Sequence, residues 1–139
     1  MEMNDYNYDE IEMGNMFEFK RILTIEDIDS YAKLTGDFNP LHCDEEYAKN
    51  TSFKGRIAHG MLAGSLFSTL LGMMCPGKKN LYLSQDLNFK KPIYPNTSLI
   101  VRGEIIDKID SIKVLVIKTQ IIFENSIMVD GLAKVKVMN

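Results

Sequence analysis

From Met61 to Cys75 the chain carries no charged residue. His59-Gly60 opens this run, and small residues at Ala63, Gly64, Ser65 and Ser68 interleave with Leu66, Phe67, Leu70 and Leu71. The run predicts a helix, and a helix with no polar stripe has to be buried on every side. It is too short and too rich in Gly and Ser for a membrane span, which takes about 20 apolar residues. Something else in the chain must therefore wrap it. Four alternating stretches follow: Leu81, Leu83, Leu87 and Phe89; Thr97, Leu99, Val101 and Ile105; Leu115, Ile117, Ile121 and Phe123; and Ile127, Val129, Ala133, Val135 and Val137. Turn-like connections at Pro92 to Asn96, Asp110-Ser111 and Glu124-Asn125-Ser126 make these antiparallel neighbours. Phe17 to Leu23 alternates well enough for a strand ahead of them. The order implies an α+β fold, a curved antiparallel sheet rolled around one central helix. With 139 residues this is a single domain, 1–139. Residues 1–13, acidic and without a period, are expected as a loose N-terminal arm.

A second helix is expected ahead of the buried one. Thr24 suits its N-cap, Glu26 and Asp27 its first turn, and Ile25, Ile28, Tyr31, Ala32 and Leu34 form a stripe that Gly36 terminates. Next comes Asp37-Phe38-Asn39-Pro40-Leu41-His42. Five residues apart on a helix, Asp37 and His42 would face different sides. Pro40 disfavours helical dihedrals at Asn39, and Gly36 suits the left-handed position that ends a helix. The segment is thus expected to leave the helix and fold back, which can aim an acid and an imidazole into one pocket. There an Asp can polarise water and a His can move a proton near neutral pH. Asp37 and Asn39 are also ordinary turn-formers, and that reading stands beside the catalytic one. After His42, Asp44 can cap a short helix through Glu45 to Lys49.

The string Thr35-Gly36-Asp37-x-Asn39-Pro40-Leu41-His42-x-Asp44-x-x-x-Ala48 resembles the signature of the MaoC-like, R-specific enoyl-CoA hydratases. His59-Gly60-Met61-Leu62, Ser65-Leu66-Phe67-Ser68, Leu70-Leu71-Gly72, Pro76-Gly77-Lys78, Tyr82-Leu83 and Phe89-Lys90-x-Pro92 look like matching stretches of the short, single-domain bacterial members that serve polyhydroxyalkanoate synthesis. The likeness is dense from roughly residue 15 to 95 and elsewhere rests on strand pattern. It implies the hotdog fold, whose members usually pair into dimers, so a homodimer is expected. It also implies that Asp37 and His42 form a catalytic dyad. A water between them would attack the β-carbon of a trans-2-enoyl thioester while the α-carbon gains a proton.

The matching position makes Gly60 the oxyanion donor. This agrees with helix physics, because the first amides of a helix lack partners, its dipole favours negative charge, and a residue without Cβ lets a carbonyl approach. The other reading of Gly60 is a packing glycine. Asn39 either holds the water, orients His42 or shapes the turn before Pro40. Ser68 aligns with a family serine near the active site. Met61, Leu62 and Leu83, with Tyr47, are candidates for an acyl pocket, although such residues also serve as plain core. His59 reads as a structural residue at the turn before the helix, or as a neighbour of the site.

CoA carries several negative charges while the chain has a net charge of −3, so local cations would have to hold it. Arg56, Lys78, Lys79, Lys90 and Lys91 are the candidates. The same charge balance leaves no basic footprint for nucleic acid. Cys43 and Cys75 lie in no CxxC or metal-ligand spacing and are expected as free thiols. Gly77-Lys78-Lys79 lacks the spacing of a phosphate loop. No metal or other cofactor is expected, the CoA thioester being the substrate. The acidic start, without signal-peptide features, places the protein in the cytoplasm.

Three rival activities are weighed. A hotdog thioesterase would need a base on or beside the central helix, which has none. A dehydratase acting on acyl carrier protein would keep the dyad and stays open, whereas a non-catalytic acyl-CoA-binding module would have no use for it.

Overall fold

The computed structural model describes residues 1–139. Strand β1 (Met16–Ile22) leads into helix α1 (Ile25–Thr35), the short helices α2 (Pro40–Cys43) and α3 (Glu45–Lys49), and then α4 (Gly60–Thr69). Strands β2 (Asn80–Gln85), β3 (Asn88–Phe89), β4 (Ser98–Ile109), β5 (Val114–Phe123) and β6 (Ser126–Val137) complete the chain. All pairings are antiparallel, in the order β1-β4-β5-β6-β2, with β3 continuing beside β2 along β6.

Alternation decides which side chains meet α4. Leu99, Val101 and Ile105 of β4, Leu115, Ile117 and Ile121 of β5, and Val129, Ala133, Val135 and Val137 of β6 are buried. They pack with Ala63, Leu66, Phe67, Leu70 and Leu71 into one core cluster. Burying a Leu or Phe fully stabilises by about 1.5–3 kcal/mol relative to exposure, so this contact dominates the fold. Extra residues in β4 between Ile105 and Asp107 and in β6 opposite Ile121–Ile122 interrupt the registers, and such bulges add bend and twist to a sheet that must curve around a helix. Beyond Thr69 the helix widens into a π-helical turn, Leu70–Met74, and ends at Cys75.

Three expectations are corrected. First, α4 is not buried on every side. Met61, Ser65 and Ser68, at i, i+4 and i+7, form an exposed stripe, because the sheet of one chain covers only one side of the helix. Second, residues 1–13 are docked rather than loose. Tyr8 and Ile11, brought to one side by a 3₁₀ turn, belong to the core cluster. The arm is also pinned by Asn4 N–H donating to the Met73 carbonyl (2.8 Å) and by Lys78 N–H donating to that of Asn4 (2.9 Å). Third, Leu81 and Leu83 point outward at 45% and 52% exposure. The β2–β6 register shifts between Tyr82 and Ser84, leaving Leu83 as the extra residue, and Tyr82 takes the inner position.

Candidate active site

Helix α1 is fixed at both ends. Thr24 and Asp27 form a reciprocal capping box, and Gly36 ends the helix with φ +81°, a left-handed conformation that glycine adopts without steric cost. The chain reverses there, and Asp37 closes the turn by accepting the Asn39 N–H at Oδ1 (3.1 Å). The segment expected as loop contains one helical turn, α2. Pro40 occupies its first position, where a missing N–H is no loss, and Asn39 caps it by accepting the Leu41 N–H (3.0 Å). Asn39 therefore shapes the turn that presents His42.

His42 Nδ1 lies 2.8 Å from the Ile57 carbonyl oxygen. A carbonyl only accepts, so Nδ1 carries the proton and the neutral ring leaves Nε2 bare. His59, at the N-cap of α4, is 3% exposed. Its Nε2 donates to the Asp37 carbonyl (3.1 Å) and lies 3.9 Å from Asp37 Oδ2. The His42 and His59 rings stack with centroids 4.1 Å apart and planes 28° apart, and Tyr31 tilts against His59 at 4.7 Å. Burial is the largest influence on His59 and holds its pKa below the usual imidazole value; His42 and Arg56 push the same way, while the Asp37 carbonyl and carboxylate oppose. His59 is neutral at pH 7. The Asp37 side chain remains half exposed.

One atom from each of Asp37, His42 and His59 lies within 4.8 Å of the others, a set of residue types that metals also use. Here Nδ1 of His42 and Nε2 of His59 are both committed as donors to carbonyls. The atoms left without a partner are Asp37 Oδ2, His42 Nε2 and the enclosed His59 Nδ1, and the first two suit proton transfer.

A cavity of about 400 Å³ opens beside this cluster, lined by His42, His59, Gly60 and Met61 on one side and by Phe89, Lys91, Ile93 and Val129 among others. Gly60 is the first residue of α4, so its amide has no intrahelical acceptor and faces the positive end of the helix dipole. The wall is chiefly apolar with a few polar side chains, His42, His59, Lys90 and Lys91, as sites for small organic ligands tend to be.

Of the sequence candidates, Asp37, His42, Gly60 and Met61 are brought together here. Four others are not. Arg56 is nearly buried and turned inward: Nε donates to the His42 carbonyl and Nη2 pairs with Asp29 Oδ1, both at 2.5 Å. Its charge is used to tie the His42 turn to α1, so it is not available to a phosphate. Leu62 sits one residue, about 100° of helix, past Met61 and packs on the core cluster. Ser68 lies two turns farther along α4 on the exposed stripe, and Leu83 faces outward from β2; neither lines the cavity. Tyr47 is also exposed on α3. Among the candidate cations, Lys79 pairs with Asp5 and Lys90 with Asp130. Lys91 and Lys90 line the cavity.

Sequence reasoning underrated His59, whose one signal was its place immediately before the first glycine of a charge-free helix. It also took Phe89 and Val129 only as inward strand residues and passed over Phe53 and Ile93, which reach the cavity from loops. Both cysteines are free; burial raises the Cys43 thiol above its usual pKa and pushes Cys75 up to about 12.

Comparison with known proteins points the same way as the geometry. An (R)-specific enoyl-CoA hydratase from Aeromonas caviae is 39% identical over 95 residues, 68% of this chain and 71% of that protein. A 3-hydroxybutyryl-CoA dehydratase from Methylorubrum extorquens is 32% identical over 130 residues, covering 94% of this chain and 83% of that protein. The unliganded R-hydratase PhaJ1 from Pseudomonas aeruginosa superposes with a TM-score of 0.94 at 33% identity, over 99% of this chain and 88% of that one. The sheet rolled around α4 is the hotdog fold, and residues 8–125 match the model described as the MaoC like domain. A family match over most of a chain whose Asp37 is clustered with the cavity-lining His42 and His59 leaves one assignment: the protein belongs to the MaoC-like domain family.

Proposed function

We propose that the protein is an (R)-specific enoyl-CoA hydratase, adding water reversibly to trans-2-enoyl-CoA to give the 3-hydroxyacyl-CoA. The observation that carries the reading is the clustering of Asp37 with His42, each keeping an atom free for a proton, Oδ2 and Nε2, where His42 lines a cavity whose wall includes the start of α4. A thioester carbonyl set against the Gly60 N–H would gain stabilisation as enolate charge develops, an effect worth about 3 kcal/mol per donor. Once Nε2 of His42 has taken up a proton beside the one on Nδ1, the Asp37 carboxylate takes a proton from water as the water oxygen bonds C3, and His42 Nε2 gives its proton to C2. Transfer of the proton from Asp37 to His42 restores the pair, and dehydration runs the same steps backward. Names borne by the relatives from Aeromonas caviae and Methylorubrum extorquens support the CoA thioester as substrate. The chemistry requires no resident cofactor.

A homodimer in the cytoplasm is part of this proposal. The exposed stripe Met61, Ser65 and Ser68, and the outward Leu81 and Leu83 on the edge strand β2, offer small and apolar surface for a second copy. No helix is long and apolar enough to cross a membrane.

The test is loss of enoyl absorbance with crotonyl-CoA for the wild type, Asp37→Asn and His42→Ala, with the product configuration assigned by chiral analysis. An R product whose formation both substitutions abolish is expected. Release of free CoA would make the protein a thioesterase, and turnover of a carrier-protein thioester alone would make it a carrier-protein dehydratase.

A further inference from the structure

His59 is the one titratable side chain at the site that is almost wholly enclosed, and the proton transfers above do not use it. Four elements surround its ring: Tyr31 from α1, the Asp37 carbonyl and carboxylate from the turn, the stacked His42 ring from α2, and the Arg56 cation from the segment before α4. Its Nδ1 is buried without any hydrogen-bond partner. Leaving such an acceptor unsatisfied is destabilising, a cost that an apolar ring of the same shape would avoid. A side chain serving packing alone would not need that nitrogen pair.

The geometry points to His59 as a positioning residue for the dyad. By donating Nε2–H to the Asp37 carbonyl and stacking its ring on His42, it holds the Asp37 turn and the His42 ring in place beside each other. Rotating the ring by 180° would put Cε1 in place of Nε2 and lose the hydrogen bond to the Asp37 carbonyl, and moving the proton to Nδ1 would leave two acceptors facing each other there, so one tautomer and one orientation are favoured. Protonating Nδ1 would put a second positive charge against His42 and Arg56, with Asp37 the one anion nearby. The neutral ring therefore leaves the cluster's exchangeable proton to Asp37 and His42. Two contacts then fix the plane of His42, its Nδ1–H to the Ile57 carbonyl and the His59 face.

Two variants separate the donor from the stack. His59→Phe keeps an aromatic face and removes the N–H, while His59→Gln keeps an N–H and removes the ring. The activity arm rests on the hydratase reading. In folded His59→Phe, kcat is expected to fall about 100-fold, the scale of a misplaced catalytic group, with KM within about threefold. His59→Gln should recover part of that loss. The alkaline limb of the kcat profile for hydration, where His42 loses the proton it gives to C2, should move to higher pH in His59→Phe, because a phenyl face favours an imidazolium stacked on it. Wild-type kcat and an unshifted profile in both folded variants would overturn the assignment.

Nitrogen NMR of the wild-type imidazoles needs neither substrate nor a variant that folds. It should show His59 neutral at pH 7.5, protonated at Nε2 and bare at Nδ1. A charged ring or the opposite tautomer there would overturn the positioning role. A wild type that fails to hydrate crotonyl-CoA would instead sink the proposed activity, and the NMR result would still decide this inference.

Discussion

The ring of Phe89 fills the space into which a side chain on Gly60 would project: a Cβ built there would lie 2.9 Å from Phe89 Cδ1 and Cε1. The first residue of α4 thus has to be glycine for a packing reason as well as for access to its amide.

Gly60→Ala is accordingly expected to destabilise the fold by about 1–3 kcal/mol, the usual range for overpacking. In a Phe89→Ala background the ring is gone and most of that increment should vanish. Urea unfolding of the four proteins measures the coupling, and an alanine equally destabilising in both backgrounds would refute the steric account. Activity should behave differently. If the Gly60 amide stabilises the enolate, the double variant regains stability yet still turns over crotonyl-CoA slowly, because the methyl group continues to crowd the carbonyl.

Arg56 yields a prediction opposite to the one its sequence position suggested. A phosphate-binding arginine would, when removed, raise KM for CoA thioesters and leave truncated pantetheine thioesters unaffected. An arginine that links the His42 carbonyl to Asp29 should instead lower kcat for both substrates alike. Hydrogen bonds to charged groups contribute about 1.5–3 kcal/mol, so Arg56→Ala is expected to reduce kcat by roughly tenfold to a hundredfold through a loosened α2. Arg56→Lys should rescue poorly, since one ammonium cannot reproduce the two directed contacts of a guanidinium. Lys91 is the better candidate for a KM effect confined to CoA, because it lies on the cavity wall. Steady-state kinetics with the two thioesters separate these cases.

These two residues show how far the sequence can be read and where it stops. Helix α1, the reversal at Gly36, and strands β4 to β6 were legible because caps, proline and alternation act over a few residues. The partner of Arg56 is Asp29, 27 residues earlier, and no local rule joins them. The outward turn of Leu81 and Leu83 was hidden for a related reason. An apolar alternation reads the same whichever face is buried, and only the register shift opposite β6 and the inward Tyr82, whose hydroxyl bonds Gln85, settle it. Tyr8 and Ile11 lacked a period because two anchors in an acidic segment are too few to make one. The dyad was legible as residues, whereas the third ring beside it required the stack to be seen.

The neutral, buried His59 makes stability depend on pH. Unfolded, its imidazole titrates near 6.5, and folded it titrates lower. Between the two values the unfolded chain binds more protons, so stability rises with pH there. The contribution is fully present above about 6.5 and is lost as the pH falls from there through the folded value. The urea midpoint of the wild type should therefore drop between pH 7.5 and pH 5 more steeply than that of His59→Phe, which has no such proton to take up. Parallel profiles would mean that His59 is not held neutral by the fold. Carboxylates such as Asp27, whose pKa is lowered chiefly by its hydrogen bond from the Thr24 backbone, act in both proteins and at lower pH.

The N-terminal segment provides a test that involves no chemistry at the site. Ile11 is 2% exposed within the core cluster, and its carbonyl accepts from Lys108 Nζ, which also lies 4.2 Å from the centre of the Tyr8 ring. Tyr8 in turn donates its hydroxyl to Asp110 Oδ1 (2.6 Å), and burial with this bond pushes its pKa up to about 12. Ile11→Ala should cost about 2–5 kcal/mol, as for other large-to-small changes in a core. A loose arm would predict no change at all. The Tyr8 hydroxyl adds a signature at the other end of the pH scale. Its folded pKa lies above that of an unfolded tyrosine, so its contribution is intact below about pH 10 and declines as the pH rises from there toward 12. Tyr8→Phe should flatten that alkaline decline, and a wild-type profile unchanged by the substitution would place the arm outside the cooperative fold.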